Sequence, residues 1–252
     1  MFLGNDLVHW SGAAAREKET RSRRTQRFID RILHEREHPF LERRGAASLP
    51  PVQALWALWA AKEAAFKAAV KAIPGLPFSP HSIRVEFLST SAERPGAWPL
   101  AHAPLADDLS RPLAYGVAYV RAQMYEILWE SHPEFVHALA IGPLPAPRRP
   151  SGTPLFGDYW QSVVRKPTAL PTGTASEAVR RIALQLYARI GGESSGASPV
   201  QIARRLLSTG RLGPPRFFGN TLQEEMDLTL THDGPWGAAA ILQREGQDYP
   251  RR

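Results

Sequence analysis

Glu63 and Lys67 lie four residues apart in Trp59-Ala60-Ala61-Lys62-Glu63-Ala64-Ala65-Phe66-Lys67. On a helix this spacing sets a carboxylate and an ammonium one turn apart on one face, and Lys71 extends the row by another turn, roughly 5–6 Å per step. Two chemistries suit such a row. One is a solvated Glu-to-Lys ion pair. The other is a carboxylate that holds a divalent cation beside an ammonium that neutralises phosphate. The second gains weight from the surroundings: from Ala54 to Val70 the segment is apolar on nearly every side apart from Lys62, Glu63 and Lys67. Some of those charges must therefore face protein or a cleft and find partners there. Asp6, within Gly4-Asn5-Asp6-Leu7-Val8, is a second acid in a short apolar run, a setting that a local strand-end turn would also explain. A Mg²⁺ site needs only one or two carboxylates with phosphate and water oxygens, so Asp6 and Glu63 would suffice. Thr231-His232-Asp233-Gly234 puts an imidazole at a strand end beside a tight turn, where a structural or simply exposed His is the commoner outcome. The eight His show no metal-ligand spacing, and the absence of Cys excludes disulfides, thiolate nucleophiles and cysteine-bound metals.

The elements that must carry these residues follow from patterning. A strand from Phe2 to Trp10 holds Asp6, and a polar helix from Arg21 to Glu37 has an apolar stripe at Phe28, Ile29, Ile32 and Leu33. Pro50-Pro51 opens an Ala-rich helix from Val52 to Ile73 that Pro74-Gly75 stops. A strand from Ile83 to Leu88 follows. Alternating segments at Leu113 to Ala122, Tyr125 to Trp129 and Phe135 to Ile141 predict an antiparallel sheet. The Pro-rich text at 143–157 reads as a linker, which divides the chain into lobes at 1–142 and 158–252. The second lobe has a helix from Ser176 to Ile190, ended by Gly191-Gly192, and a further helix from Pro199 to Gly210, capped by Ser198. It closes with a hairpin of Asp227 to Thr231 and Trp236 to Leu242. A gapless echo aligns residues 131–141 with 231–241, each a hydroxyl, a His, a turn and an Ala-rich strand. Such an echo arises by chance in Ala-rich strands or by duplication of a half-domain.

With 252 residues, 43% hydrophobic and 22% charged, the chain is long enough for one large domain or two modest ones. No apolar run approaches the ~20 residues of a membrane span, and the N-terminal residues lack a basic targeting segment, so a cytoplasmic protein without membrane contact is expected. A net charge of +7 favours a polyanionic partner, whether nucleic acid, a phosphorylated cofactor or an acidic protein. The basic residues are dispersed in pairs, such as Arg180-Arg181 and Arg204-Arg205, that read singly as solvated surface.

Taken in order, these pieces resemble the 4′-phosphopantetheinyl transferase superfamily. Gly4-Asn5-Asp6 is similar to its acidic motif. Phe28, Arg31-Ile32-Leu33 and Glu37 resemble its F-x-x-R-[VI]-[LF]-x-x-x-E stretch, and Trp59 to Lys67 its W-x-x-K-E-A-x-x-K helix. In the second lobe, Arg204-Arg205, Gly213-Pro214-Pro215 and Leu228 to Gly234 look like the G-K-P and S-[IL]-S-H-[SD]-G motifs. Two departures stand out: Val8 replaces the second acid of two-lobed members, and Pro214 replaces the Lys of G-K-P. In those members the His motif precedes the acids, so the lobes here look permuted.

The resemblance implies an α+β fold of two similar lobes flanking one cleft. It implies a monomer that transfers the phosphopantetheine of coenzyme A to a serine of an apo acyl or peptidyl carrier protein. Mg²⁺ would be held by Asp6 and Glu63, Glu63 or a water on the metal would take the serine proton, and Lys67 would neutralise or protonate the departing 3′,5′-ADP. Lys62, Lys71, Arg204, Arg205, Pro215 and His232 would contact coenzyme A, with Arg211 a further candidate for its 3′-phosphate. His132 is expected to be structural. Acidic carrier domains suit a basic enzyme. The alternatives are a catalytically inactive relative and a basic binding module acting through protein or nucleic acid; no nucleic-acid motif supports the latter.

Overall fold

The fold is that of a computed structural model, which describes residues 1–11, 23–42, 49–90, 111–144, 160–165, 174–188, 200–207, 210, 212–219 and 226–243. The first lobe starts with strand β1 (Phe2–His9), then helices α1 (Arg23–Ile32), α2 (His38–Glu42) and α3 (Pro51–Ala72), and ends with β2 (Ile83–Thr90), β3 (Arg111–Val120), β4 (Gln123–Ser131) and β5 (Phe135–Gly142). Its five strands form one antiparallel sheet in the order β1-β5-β4-β3-β2. The second lobe runs β6 (Trp160–Arg165), α4 (Ala175–Tyr187), β7 (Gln201–Leu206), β8 (Leu212–Phe218), β9 (Met226–Asp233) and β10 (Trp236–Gln243). It has a three-stranded sheet ordered β6-β10-β9 and a separate β7-β8 ribbon. The architecture is α+β, and both lobes repeat one order: strand, helix, hairpin, hairpin, with the first strand paired to the last.

Helix α3 is apolar almost all round because it lies between two layers. Ala57, Ala61, Ala64 and Ala68 belong to the core against the first sheet, where the Trp129 indole donates to the Ala57 carbonyl at 2.9 Å. On the other side Trp56, Trp59 and Phe66 pack tilted or edge-on with one another and with Phe28 and Phe78. Gly4 lets β1 approach the helix: a Cβ there would overlap the Ala64 carbonyl oxygen and crowd the Ala68 nitrogen. The small residue thus brings Asp6 beside Glu63 and Lys67.

Two expectations are corrected. The helix expected from Pro199 to Gly210 is instead β7, paired antiparallel with β8. Ile202 faces Phe217 across the ribbon and both pack into the second core, so tertiary pairing overrides a helix-favouring composition. Pro214 and Pro215 sit within β8, which is possible because both strands of a two-stranded ribbon are edges. The helix expected from Arg21 to Glu37 stops at Ile32, and a short 3₁₀ turn at Glu35–Glu37 follows, capped by His34. Ile190, Gly191, Gly192 and most of the proline-rich stretch at 143–157 lie outside the described residues.

The internal echo is real at the level of hairpins but one residue out of register. In the first hairpin His132 and Phe135 exchange backbone hydrogen bonds around Pro133-Glu134, and in the second Asp233 pairs with Trp236 around Gly234-Pro235. His132 therefore corresponds to Asp233, not to His232. A one-residue slip turns a side chain to the other face of a strand, which separates the two histidines in environment.

Candidate active site

The lobes meet along β1 and β9, which run side by side. β1 is an outer strand of its sheet, and side chains of β9 satisfy its free N–H groups. Leu3 donates to Asp227 Oδ2 (2.6 Å), Asn5 to Thr229 Oγ1 (3.2 Å) and His9 to Asp233 Oδ2 (2.9 Å). The same alternating face of β9 presents Thr231, whose hydroxyl donates to Asp6 Oδ1 at 3.0 Å. Lys71 reinforces the seam: its Nζ contacts both Asp227 oxygens at 2.9 Å and the carbonyls of Leu3 (2.7 Å) and Leu228 (2.9 Å).

Beside this seam a cleft of about 440 Å³ is lined from the first lobe by Asp6, Glu63 and Lys67 and from the second by Ser176, Arg180, Arg204, Thr231 and His232, among others. Lys67 Nζ donates to Asp6 Oδ1 at 2.7 Å and to the Asn5 carbonyl at 3.0 Å, and lies 3.9 Å from Glu63 Oε2. Burial, with the Asp6 carboxylate alongside, pushes Glu63 up to about 8, while Lys67 pulls it the other way. Two acids so placed share one proton more readily than they carry two charges. Arg180 and Ser176 line the opposite wall from the first two turns of α4, the positive end of that helix.

Of the residues singled out from sequence, the structure brings Asp6, Glu63, Lys67, Arg204 and His232 to one cleft. It places the others elsewhere. Lys62 is fully buried, held by Glu37 at 2.6 Å and by the carbonyls of Ile32, Pro80 and Ile83 at 2.9, 3.0 and 2.6 Å. A quarter turn from Glu63 around the helix leads into the core, away from the cleft. Lys71 is spent on the seam, and Arg205 lies over the Phe218 ring on the outer face of the ribbon, 5.9 Å from its centroid. Pro215, opposite Arg204 in the ladder, is not among the residues lining the cleft. Arg211 lies outside the described residues. Arg180 and Ser176 escaped the sequence reading, which treated Arg180 as solvated surface, although their i, i+4 spacing is the one that drew notice to Glu63 and Lys67.

Residues 3–110 match the family model of the 4′-phosphopantetheinyl transferase superfamily, ACPS. The matched segment contains Asp6, Glu63 and Lys67. Among solved structures, an apo-ACPS structure of Chronobacterium ammoiniagenes is similar at 15% identity over 96% of each chain, with a TM-score of 0.29, too low to define a shared fold. No curated protein matches the chain. Among the described residues no helix is long and apolar enough to cross a membrane.

Proposed function

We propose that this chain transfers the 4′-phosphopantetheine group of coenzyme A to a serine of an apo acyl or peptidyl carrier protein. The observation that carries the reading is the convergence of Asp6, Glu63 and Lys67, from the lobe that matches the superfamily, on a cleft whose other wall supplies Arg180, Arg204 and His232. Its volume falls in the range of small-ligand sites. The donor set fits Mg²⁺. Asp6 and Glu63 are hard oxygen ligands, no third His, Asp or Glu joins them among the described residues, and such an ion keeps its remaining positions for water and phosphate oxygens. Bound there, the ion would supply positive charge to the pyrophosphate and keep both carboxylates ionised.

The rest falls to the protein's own groups. The serine Oγ forms a bond to the β-phosphorus as the bond to the bridging oxygen breaks, and 3′,5′-ADP leaves. Glu63 accepts the serine proton. Its place in the cleft beside Asp6 and Lys67 puts an ionised carboxylate where the hydroxyl must arrive. Lys67, fixed by Asp6 and the Asn5 carbonyl, offers its remaining proton to the leaving phosphate. Arg180, Arg204 and His232 would orient the anionic cofactor. Incubation with coenzyme A, Mg²⁺ and an apo-carrier protein tests the reading by intact mass: the carrier gains one phosphopantetheine, and an unchanged mass overturns it.

Lys67→Ala is expected to lower kcat by ~10²-fold or more with a smaller effect on coenzyme A affinity. If KM alone rises, Lys67 only binds. The histidines should separate under calorimetric titration. His232 is exposed in the cleft, and His232→Ala should weaken coenzyme A binding by ~1.5–3 kcal/mol, the scale of a hydrogen bond to a charged group. His132 stacks on Phe135 at 4.5 Å, packs edge-on against Trp236 and accepts from the Glu134 amide. His132→Ala should leave coenzyme A affinity unchanged and lower the unfolding temperature instead.

A further inference from the structure

The β7–β8 ribbon combines exposed apolar side chains with charge of a single sign. Leu206 and Leu212 face each other across its ladder near the tip and are 70% and 63% exposed. With Leu207 they make three of the five exposed large hydrophobic residues among the described ones. The described residues of 201–219 include three arginines, Arg204, Arg205 and Arg216, and no acid. Arg216 and Arg205 occupy the outer face with Phe218, and the ring beneath the Arg205 guanidinium limits its freedom. An apolar centre inside a rim of one charge is the pattern of a protein interface; a nucleic-acid surface would need the arginines but not the leucines.

The ribbon is also a wall of the cleft, since Arg204 and Leu212 line it. A macromolecule seated on the ribbon therefore puts its own side chains at the cleft mouth. We infer that the Leu206–Leu212 end and the outer face of the β7–β8 ribbon are the docking surface for the protein that carries the acceptor serine, and that this partner meets it with an acidic surface bearing exposed apolar side chains. The inference rests on the phosphopantetheinyl-transfer reading. It commits to a protein because a lipid surface would cover the leucines without bringing a hydroxyl to the cleft. Charge complementarity supplies both the orientation and a faster encounter.

Leu206→Ser and Arg216→Glu test it, because neither side chain lines the cleft. With an apo acyl carrier protein of net negative charge as probe, each variant should raise KM for the carrier by about tenfold or more, with kcat within about twofold of wild type. Coenzyme A affinity by calorimetry and the unfolding temperature should not change, which shows that the variants are folded. A carrier in which one surface acid is replaced by Lys should recover activity with Arg216→Glu. If wild type transfers but both variants keep the wild-type KM, the docking surface is overturned while the transfer reading stands. If wild type transfers nothing, the transfer reading falls, and equal binding of the carrier to wild type and variants would overturn the docking surface too. Flotation with anionic phospholipid vesicles that both variants abolish, with carrier KM unchanged, would overturn it in favour of a membrane surface.

Discussion

Glu63→Gln is expected to abolish transfer, by on the order of 10³-fold, and at the same time to stabilise the metal-free protein at alkaline pH. The two effects share a cause. In the folded chain burial and the neighbouring Asp6 hold the Glu63 carboxyl up to about 8, whereas in the unfolded chain it titrates in the ordinary carboxylate range. Between those limits the folded state keeps a proton that the unfolded state has given up, so this group's contribution favours folding at low pH and is lost as pH rises toward about 8. Gln cannot ionise, so the variant lacks that slope. Thermal unfolding of metal-free wild type and variant from pH 5 to 9 measures it: the wild-type midpoint should fall relative to the variant as pH rises. Saturating Mg²⁺ should flatten the wild-type profile, because the cation offsets the cost of the second charge, and should leave Glu63→Gln nearly unmoved. A variant that keeps near-normal turnover would remove Glu63 from the chemistry. Asp6 is the less clean site to test, since it also accepts from Lys67 and Thr231 across the seam.

The largest stability change is expected not in the cleft but behind it. Lys62→Met should cost ~3–5 kcal/mol, the scale of breaking a buried ion pair, and leave coenzyme A affinity of the folded fraction unchanged. Burial lowers the Lys62 pKa, Glu37 opposes that shift, and the pair survives because its surroundings are complete. The ammonium reaches three carbonyls, and the Glu37 carboxylate also accepts from the amides of His34 (2.8 Å) and Val85 (2.7 Å). Removing Lys62 strands a buried charge and three acceptors at the point where α1, α3 and β2 converge. Adding Glu37→Gln should recover part of the loss, because the stranded charge goes with it. Urea unfolding of the single and double variants decides this. Additive losses would mean that the two residues act separately.

The sequence carries the first lobe well. A short apolar run, prolines at the helix start and an acid-base row on one turn suffice for β1, α3 and the pairing of Glu63 with Lys67. It could not distinguish the three lysines of α3. Lys62, Lys67 and Lys71 are alike in type and spacing, and only the third dimension sends one to Glu37, one to Asp6 and one to Asp227. The second lobe was harder, because Gln-Ile-Ala-Arg-Arg-Leu reads as helix by propensity until Phe217 is placed opposite Ile202. The echo of residues 131–141 in 231–241 pointed to a repeated hairpin but missed its register by one, because matching of Ala-rich text cannot sense where a turn falls.

Asp227, Thr229 and Asp233 are synthesised long after the strand they cap. Roughly ninety residues separate the end of β5 from Asp233, and at ~5–20 residues per second the ribosome needs roughly 5–20 s to make them. Throughout that interval a first lobe that has already folded carries β1 as a bare edge, with the amides of Leu3, Asn5 and His9 open to any other strand. Crowded nascent chains on one message offer identical strands at high local concentration, so the hazard for this protein lies during translation and ends when β9 arrives.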